Sequence, residues 1–262
     1  MRPNKLRQLL AAGKPSISTH IHTVWPSVVE AIGHTGLYDY VEFVGEYAPY
    51  DLHDLDHLCR AAELHGMGMM IKVDQESRGF LAQRAIGSGF QSVLFADCRT
   101  PDDFRECVRL VRPDTPDGGG TYGVATRRFS YMGYGGGKEY VQALREVVVA
   151  VMVEKGMAVE RLEEVLAVEG IDMIQWGPAD YSMSIGMAGE RERPEIKTTE
   201  RRVIEQALRA GIQPRAEINA PDQAKYYLDL GVRHFCIGTD FTILFQWWKA
   251  NGDALRKAVE GA

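Results

Sequence analysis

The chain has 262 residues, of which 45% are hydrophobic and 25% are charged, a composition typical of globular proteins. Its 30 Lys and Arg residues and 36 Asp and Glu residues give a formal charge of −6. The chain therefore lacks the net positive charge that attracts nucleic acid. No segment approaches the roughly 20 apolar residues of a membrane span, and the first 15 residues contain no signal-peptide core. We therefore expect a cytoplasmic protein that binds neither nucleic acid nor a membrane.

Eight short β-rich segments alternate with helical patterns along the chain, and no linker separates them. The predicted strands span residues 17–22, 40–44, 69–73, 92–95, 147–153, 173–176, 213–217 and 234–237. Helix start signals follow several of them, as at Pro26, Asp51 and Pro101. The pattern predicts an α/β fold in which residues 1–262 form a single (β/α)8 TIM-barrel domain. A doubly wound open sheet is the alternative, but its G-x-G-x-x-G fingerprint is missing after the first strand.

One long Gly- and aromatic-rich segment, residues 114–137, interrupts this alternation after the fourth strand. It is too long for an ordinary connection, which indicates a loop over a functional site. Its adjacent Arg127 and Arg128 would either bind a second carboxylate of a substrate or lie in solvent. We select Arg127 as a candidate substrate-binding residue.

The residues that close the predicted strands are unusually polar. In a parallel barrel the active site lies at the C-terminal ends of the strands. The polar strand-end residues are His20, His22, Glu46, Tyr47, Lys72, Asp74, Asp97, Glu154, Asp180, Glu217 and Asp240. This distribution predicts a catalytic centre at that end of the barrel.

Glu154 and Asp180 are the candidate metal ligands. Glu154 ends the apolar run VVVAVMVE, where a carboxylate needs a cation, a proton or hydrogen-bond donors to replace its lost hydration. Asp180 lies in WGPADYS, where Gly177 and Pro178 predict a turn toward the barrel axis. Two such carboxylates suit a hard cation such as Mg²⁺ or Mn²⁺. Spacing alone favours an alternative equally. In it, Glu154 forms an ion pair with Lys155 or an arginine, and Asp180 caps a helix.

Four segments together resemble the HpcH/HpaI aldolase family of metal-dependent pyruvate aldolases over nearly the whole chain. They are GEYAP after the second strand, a basic residue closing the third, VEK closing the fifth and GPADYS after the sixth. The resemblance implies a (β/α)8 barrel that binds a divalent cation, Mg²⁺ or Mn²⁺ with Co²⁺ possible, through Glu154 and Asp180. It also implies that a 2-oxo acid chelates this cation, which stabilises the enolate formed when a carbon–carbon bond breaks. The turn of Gly177, Pro178 and Ala179 would bind the substrate, its carboxylate held by backbone N–H groups around Gly177 and Ala179.

The proton-transfer residues differ from the family motif D-G-E-H-A-P. Val44 and Tyr47 replace the family's orienting aspartate and its histidine, whereas Glu46 matches the glutamate that usually hydrogen-bonds a metal-bound water. Lys72 replaces an arginine that donates to the enolate; it keeps the charge but loses the planar fork. We expect Lys72, Tyr47 and Glu46 to be catalytic. The alternatives are that Tyr47 only packs against substrate and that Lys72 is only the ion-pair partner of Glu46 or Asp74.

His20 is a further candidate, because strand alternation places His20 and His22 on one face, opposite Ile21. The resemblance aligns His20 with an aromatic residue at the substrate end of the barrel, where an imidazole would restore a base that titrates near neutral pH. Hydrogen bonding of both histidines to nearby carboxylates is the alternative. We expect His20 to take part in catalysis.

The predicted function is that of a divalent-metal-dependent carbon–carbon lyase, an aldolase acting on a 2-oxo acid. Decarboxylation of a β-keto acid such as oxaloacetate is one alternative, since it requires no base to deprotonate an alcohol. A non-catalytic 2-oxo-acid-binding barrel is another. The apolar last helix would dock under the barrel or contact a neighbouring subunit; because family members exchange this helix, the resemblance implies a homo-oligomer, a trimer or a hexamer.

Overall fold

The computed structural model describes residues 2–76 and 78–261, and its eight parallel strands form a closed barrel. The strands are β1 (Ser16–Ile21), β2 (Tyr40–Val44), β3 (Gly68–Val73), β4 (Ser92–Phe95), β5 (Val148–Val153), β6 (Met173–Trp176), β7 (Gln213–Ile218) and β8 (His234–Thr239). Each strand pairs with the next in sequence, and β8 pairs with β1. The predicted (β/α)8 architecture is confirmed, and every predicted strand overlaps an observed one.

Helices precede, connect and follow these strands. They are α1 (Lys5–Ala11), α2 (Pro26–His34), α3 (Leu52–Leu64), α4 (Arg78–Ser88), α5 (Pro101–Val111), α6 (Lys138–Arg145), α7 (Gly156–Glu160), α8 (Leu162–Leu166), α9 (Pro178–Ser184), α10 (Pro194–Arg209), α11 (Ala224–Asp229) and α12 (Asp240–Glu260). Asp51 and Thr100 cap α3 and α5 with reciprocal capping boxes, which satisfy backbone donors of the first turn. These local signals explain why the helix starts were readable from the sequence.

The barrel interior changes from apolar to polar along the strands. Near the N-terminal ends, the interior is filled by apolar side chains such as Met70, Leu94 and Met173, closed off by Leu6 of α1. Farther along, Arg215 is fully buried and contacts Glu42. Because side chains alternate across a strand, Lys72 and Glu154 follow the inward-facing Met70 and Met152 two residues later. Strand periodicity therefore carries the charged residues toward the C-terminal mouth.

Residues 114–137 pack against the flank of the barrel, which differs from the expected loop over a site. The backbone N–H groups of Arg127 and Arg128 both donate to the Gly87 carbonyl at 3.1 Å, at the end of α4. The Tyr122 hydroxyl donates to the Gln83 carbonyl at 2.8 Å. Hydrogen bonding of this segment to α4 holds it on the outer helices.

The last helix, α12, extends away from the barrel. Of the residues of α12 that the structure describes, only Asp240, at the start of the helix, is buried. The Asp240 carboxylate accepts hydrogen bonds from the backbone N–H groups of His22 and Thr23, which ties the helix start to the segment that follows β1. Within residues 2–76 and 78–261 we find no helix with the length and apolarity that a bilayer crossing requires.

Candidate active site

A cavity of about 240 Å³ opens at the C-terminal ends of the strands and brings most of the predicted site residues together. The predicted residues that line it are Lys72, Glu154, Gly177, Pro178, Ala179 and Asp180. Its further polar lining consists of Gln175, Arg191, Glu200, Arg215, Glu217 and Asn219. Residues from β3, β5 and the turn after β6 therefore face one space, at the end of the barrel where the sequence predicts the catalytic centre.

Glu154 is buried at the end of β5, with only 3% of its surface exposed. Its Oε1 accepts a hydrogen bond from the Asp97 backbone N–H at 2.8 Å. Burial raises the pKa of Glu154 to about 7, although this hydrogen bond and the charge of Lys72 oppose the rise. The carboxylate is therefore poorly solvated and only partly compensated, a state that a bound cation would relieve.

Asp180 lies in the first turn of α9 and pairs with Lys155. The Lys155 Nζ is 2.7 Å from Asp180 Oδ1 and 2.5 Å from Asp97 Oδ1. Burial disfavours the charge on Lys155, but its hydrogen bonds to these two carboxylates prevail and raise its pKa. Lys155 thus pairs with Asp180, not with Glu154 as the ion-pair alternative assumed.

The turn after β6 packs directly on Glu154. A Cβ added at Gly177 would lie 2.5 Å from Glu154 Oε2, so a glycine is needed for this approach. The Gly177 N–H already donates to the Val153 carbonyl at 3.2 Å, and Pro178 has no N–H. The N–H groups of Ala179 and Asp180, in the first turn of α9, have no intrahelical acceptor. The backbone donors that this turn leaves free of an intrahelical acceptor are therefore those of Ala179 and Asp180.

Lys72, Glu46 and Tyr47 form a second charged group at the mouth. The Lys72 Nζ is 2.6 Å from Glu46 Oε2, and both side chains are 12% exposed. The same Nζ donates to the Tyr47 hydroxyl at 3.4 Å and lies 5.0 Å from the centre of its ring. Burial disfavours the charge on Lys72, but Glu46 and Tyr47 outweigh it and raise the pKa. Burial also raises the pKa of Tyr47, against the effect of Lys72, so the phenol stays protonated near neutrality.

His20 in β1 and His22 just after the strand occupy different surroundings. The His20 ring is buried between β1 and β8, where its Nε2 hydrogen-bonds the Thr239 hydroxyl and its Nδ1 lies 3.9 Å from Glu217 Oε2. The His22 ring is 6.1 Å from the Tyr47 ring, centre to centre. Burial, and then the neighbouring His20, lowers the pKa of His22. His22, rather than His20, is thus the imidazole beside Tyr47.

A second group of possible metal ligands lies deeper in the barrel, where ligand atoms of His20, Glu42 and Cys236 are within 4.8 Å of one another. Glu42 is already paired with the guanidinium of Arg215, and both side chains are almost fully buried. Burial raises the pKa of Cys236 to about 12, which keeps its thiol protonated. A protonated thiol and an existing positive charge make this group a poor cation site compared with Glu154 and Asp180.

Arg127 lies on the outer flank, away from the other candidates. Its Nη2 is 3.6 Å from Asp56 Oδ2 and its Nε donates to the Ser88 hydroxyl at 3.1 Å, on α3 and α4. The hydrogen bonds of the 114–137 segment to α4 hold it there. Arg127 therefore lies outside the cavity at the C-terminal ends of the strands.

Several cavity residues were not selected from the sequence. Arg215 was recognisable in principle, because it lies two residues before Glu217 on β7 and strand alternation turns both inward. Lys155 lies next to the cavity lining and contacts Asp180, whereas its position in the sequence suggests only Glu154 as a partner. Arg191 lies in a connection without a periodic pattern, so no sequence signal connects it with the cavity.

Comparison with known proteins relates the chain to one family. Residues 20–245 match the model of the HpcH/HpaI aldolase/citrate lyase family. A hydroxypyruvate/pyruvate aldolase of Paraburkholderia phytofirmans is 28% identical over 242 residues, covering 90% of this chain and 92% of that protein. A 4-hydroxy-2-oxo-heptane-1,7-dioate aldolase of Escherichia coli is 28% identical over 244 residues, covering 92% and 90%. The crystal structure of an HpcH/HpaI aldolase from Desulfitobacterium hafniense has a TM-score of 0.85, at 25% identity and 97% coverage of both chains.

Proposed function

Because this chain belongs to the HpcH/HpaI aldolase/citrate lyase family and is a carbon–carbon lyase of the aldolase type, we propose that it acts on a small 2-oxo acid in the cavity beside Glu154 and Asp180. The observation that carries the proposal is the convergence of two carboxylates, a charged lysine and unpaired backbone donors on one cavity of about 240 Å³. Donors for an anionic substrate and ligands for a cation lie there side by side.

Glu154 and Asp180 fit a hard divalent cation, which we propose to be Mg²⁺ or Mn²⁺, with Co²⁺ also suitable. Carboxylate oxygens are the ligands that such ions prefer. The buried Glu154 lacks full charge compensation, and the missing Cβ of Gly177 leaves its Oε2 accessible. When bound, the cation supplies Lewis-acid stabilisation of negative charge on the substrate's keto oxygen.

The chain's own residues orient the substrate and stabilise its charge. The N–H groups of Ala179 and Asp180 bind the substrate carboxylate, and the Lys72 ammonium donates to the keto oxygen as negative charge develops there. Glu46 holds Lys72 in place through the 2.6 Å ion pair. This arrangement is matched to an enolate better than to the neutral ketone, which is the requirement for catalysis.

Aldol cleavage also requires two proton transfers. The C4 hydroxyl loses its proton, the C3–C4 bond breaks with its electron pair passing into the enolate of pyruvate, and C3 then takes up a proton. Tyr47 is the proposed acid, because its phenol stays protonated near neutrality. His20 is the proposed base.

Calorimetry with Mn²⁺ tests this function. Glu154→Gln and Asp180→Asn should each abolish Mn²⁺ binding and turnover of a 4-hydroxy-2-oxo acid, because each removes one of two charged ligands. Glu217→Gln is the matched control, since it neutralises another carboxylate of the same cavity and should still bind Mn²⁺. Native Mn²⁺ affinity in either ligand variant would rule out the proposed coordination.

Decarboxylation of a β-keto acid is a second candidate, and the state of Tyr47 favours it. The protonated phenol of Tyr47 cannot serve as the base of aldol cleavage, so that reaction depends on His20, which is buried between β1 and β8. Decarboxylation requires no base to deprotonate an alcohol. Release of CO2 from oxaloacetate, compared with release of aldehyde from a 4-hydroxy-2-oxo acid, separates the two reactions.

We also propose a homo-oligomer, a trimer or a hexamer, in which α12 docks on or exchanges with a neighbouring copy. Large apolar side chains of this helix are between 41% and 63% exposed: Phe241, Ile243, Leu244, Phe245, Trp247 and Trp248. Such a surface is typical of a protein interface. Analytical ultracentrifugation should show dissociation in Trp247→Glu but not in Lys249→Ala, a control on the same helix. A monomeric wild type would refute the proposal.

A further inference from the structure

We propose that Lys155 is an internal counter-cation that competes with the divalent ion for Asp180 and so weakens metal binding, while Asp97 limits this competition. The inference rests on the proposed function, in which Glu154 and Asp180 are the metal ligands. It assigns to Lys155 and Asp97 the role of positioning residues that set the affinity of the site.

The Lys155 ammonium lies between two carboxylates. It is 2.7 Å from Asp180 Oδ1 and 2.5 Å from Asp97 Oδ1, and the residue is only 7% exposed. A divalent ion that binds Asp180 must share this carboxylate with the ammonium or displace it. Because two cations on one carboxylate repel each other, most strongly where water is excluded, Lys155 should oppose metal binding.

Asp97 connects both proposed ligands. Its backbone N–H donates to Glu154 Oε1 at 2.8 Å, and its side chain binds the Lys155 ammonium that contacts Asp180. Its φ of 59° lies in the left-handed region, which Asn and Asp tolerate better than other non-glycine residues. This conformation allows a single residue to hold Glu154 with its backbone and Lys155 with its side chain.

The two positioning residues therefore have opposite effects on the metal site. Removing the Lys155 ammonium releases Asp180 for the cation and should strengthen binding. Removing the charge of Asp97 takes away one of the two carboxylates that hold the Lys155 ammonium. The ammonium then pairs with Asp180 alone, which should weaken the binding of the cation. A role that is merely structural would lower the affinity in both cases.

Mn²⁺ affinity, measured by calorimetry on the full chain, tests the inference. Lys155→Met should bind Mn²⁺ about tenfold more tightly than the wild type, and Lys155→Arg, which keeps the charge, should return toward the wild-type affinity. Asp97→Asn, which tolerates the left-handed backbone and keeps the N–H to Glu154, should bind about tenfold more weakly. Lys197→Met, which removes a lysine paired with Glu192 and Glu200, is the control and should not change the affinity.

The outcomes separate this inference from the proposed function. Unchanged or weaker Mn²⁺ binding by Lys155→Met, with wild-type binding intact and circular dichroism showing a folded variant, would overturn the role of Lys155. If Lys155→Met does not fold, wild-type affinity in Asp97→Asn would overturn the inference instead. If Glu154→Gln bound Mn²⁺ as tightly as the wild type, the proposed coordination by Glu154 and Asp180 would itself be refuted. Binding of Mn²⁺ by Lys155→Met alone, and not by the wild type, would support strong competition.

Discussion

Gly177→Ala is the change for which the structure sets the clearest steric limit. The new Cβ would lie 2.5 Å from Glu154 Oε2, 2.6 Å from Glu154 Cβ and 3.0 Å from Met152 Cε. Carbon atoms in contact are normally about 3.5–4.0 Å apart. Rotating the carboxylate relieves the first contact but not the second, because the Cβ of Glu154 is fixed by β5. The turn and the end of β5 must therefore separate by about 1 Å.

This separation predicts the size of the effect. A displacement of about 1 Å at a reacting centre costs about 100-fold in turnover. Overpacking of this kind lowers the free energy of unfolding by about 1–3 kcal/mol. The backbone of Gly177, with φ of −114°, accepts an alanine, so the steric contact alone is responsible.

Steady-state kinetics, Mn²⁺ calorimetry and thermal unfolding of Gly177→Ala measure these effects. Gly123→Ala is the matched control, since an added Cβ there meets no atom within 4 Å. Native turnover and native Mn²⁺ affinity in Gly177→Ala would refute the reasoning that this turn must pack on Glu154, the proposed metal ligand.

Three further predictions concern charge and protons. Lys72→Met should lower turnover by about 100-fold but change Mn²⁺ affinity far less, because the ammonium is needed as the oxyanion develops; an unchanged exchange rate of the pyruvate C3 protons in D2O would make Lys72 structural. In His20→Asn the pH profile of turnover should lose one limb, whereas Tyr47→Phe should retain that limb. A native profile in His20→Asn would assign the proton transfer proposed for His20 to Tyr47 or to water. Burial, followed by the charge of Arg215, lowers the pKa of His234 to about 4, so the unfolded chain takes up a proton at a higher pH than the folded protein. The free energy of unfolding should then fall by up to about 3 kcal/mol as the pH falls from about 6.5 to about 4, and a chemical denaturation series in which His234→Gln keeps the same slope would contradict this.

The sequence alone determined the barrel and the end of it at which the polar cavity opens. Strand segments, capping residues and the polar strand ends are local signals, and each depends on only a few neighbouring residues. Alternation along β3 and β5 was sufficient to point Lys72 and Glu154 into the barrel, because a strand turns every second side chain to the same face. The residues alone also selected Asp180 and the turn at Gly177, and the family resemblance then favoured metal binding by Asp180 over a capping role; family membership is confirmed.

Only the tertiary structure decided which charged groups meet. Lys155 follows Glu154 in sequence, yet its ammonium binds Asp180 and Asp97, which come from other strand ends. Arg127 has the charge expected of a substrate-binding residue, but the hydrogen bonds of its segment to α4 place it on the flank. Pairing between residues 25 or more positions apart depends on strand order, on helix packing and on the burial that makes an unpaired charge costly. None of these is encoded in a local pattern, so the partners of each charge emerge only when the barrel closes.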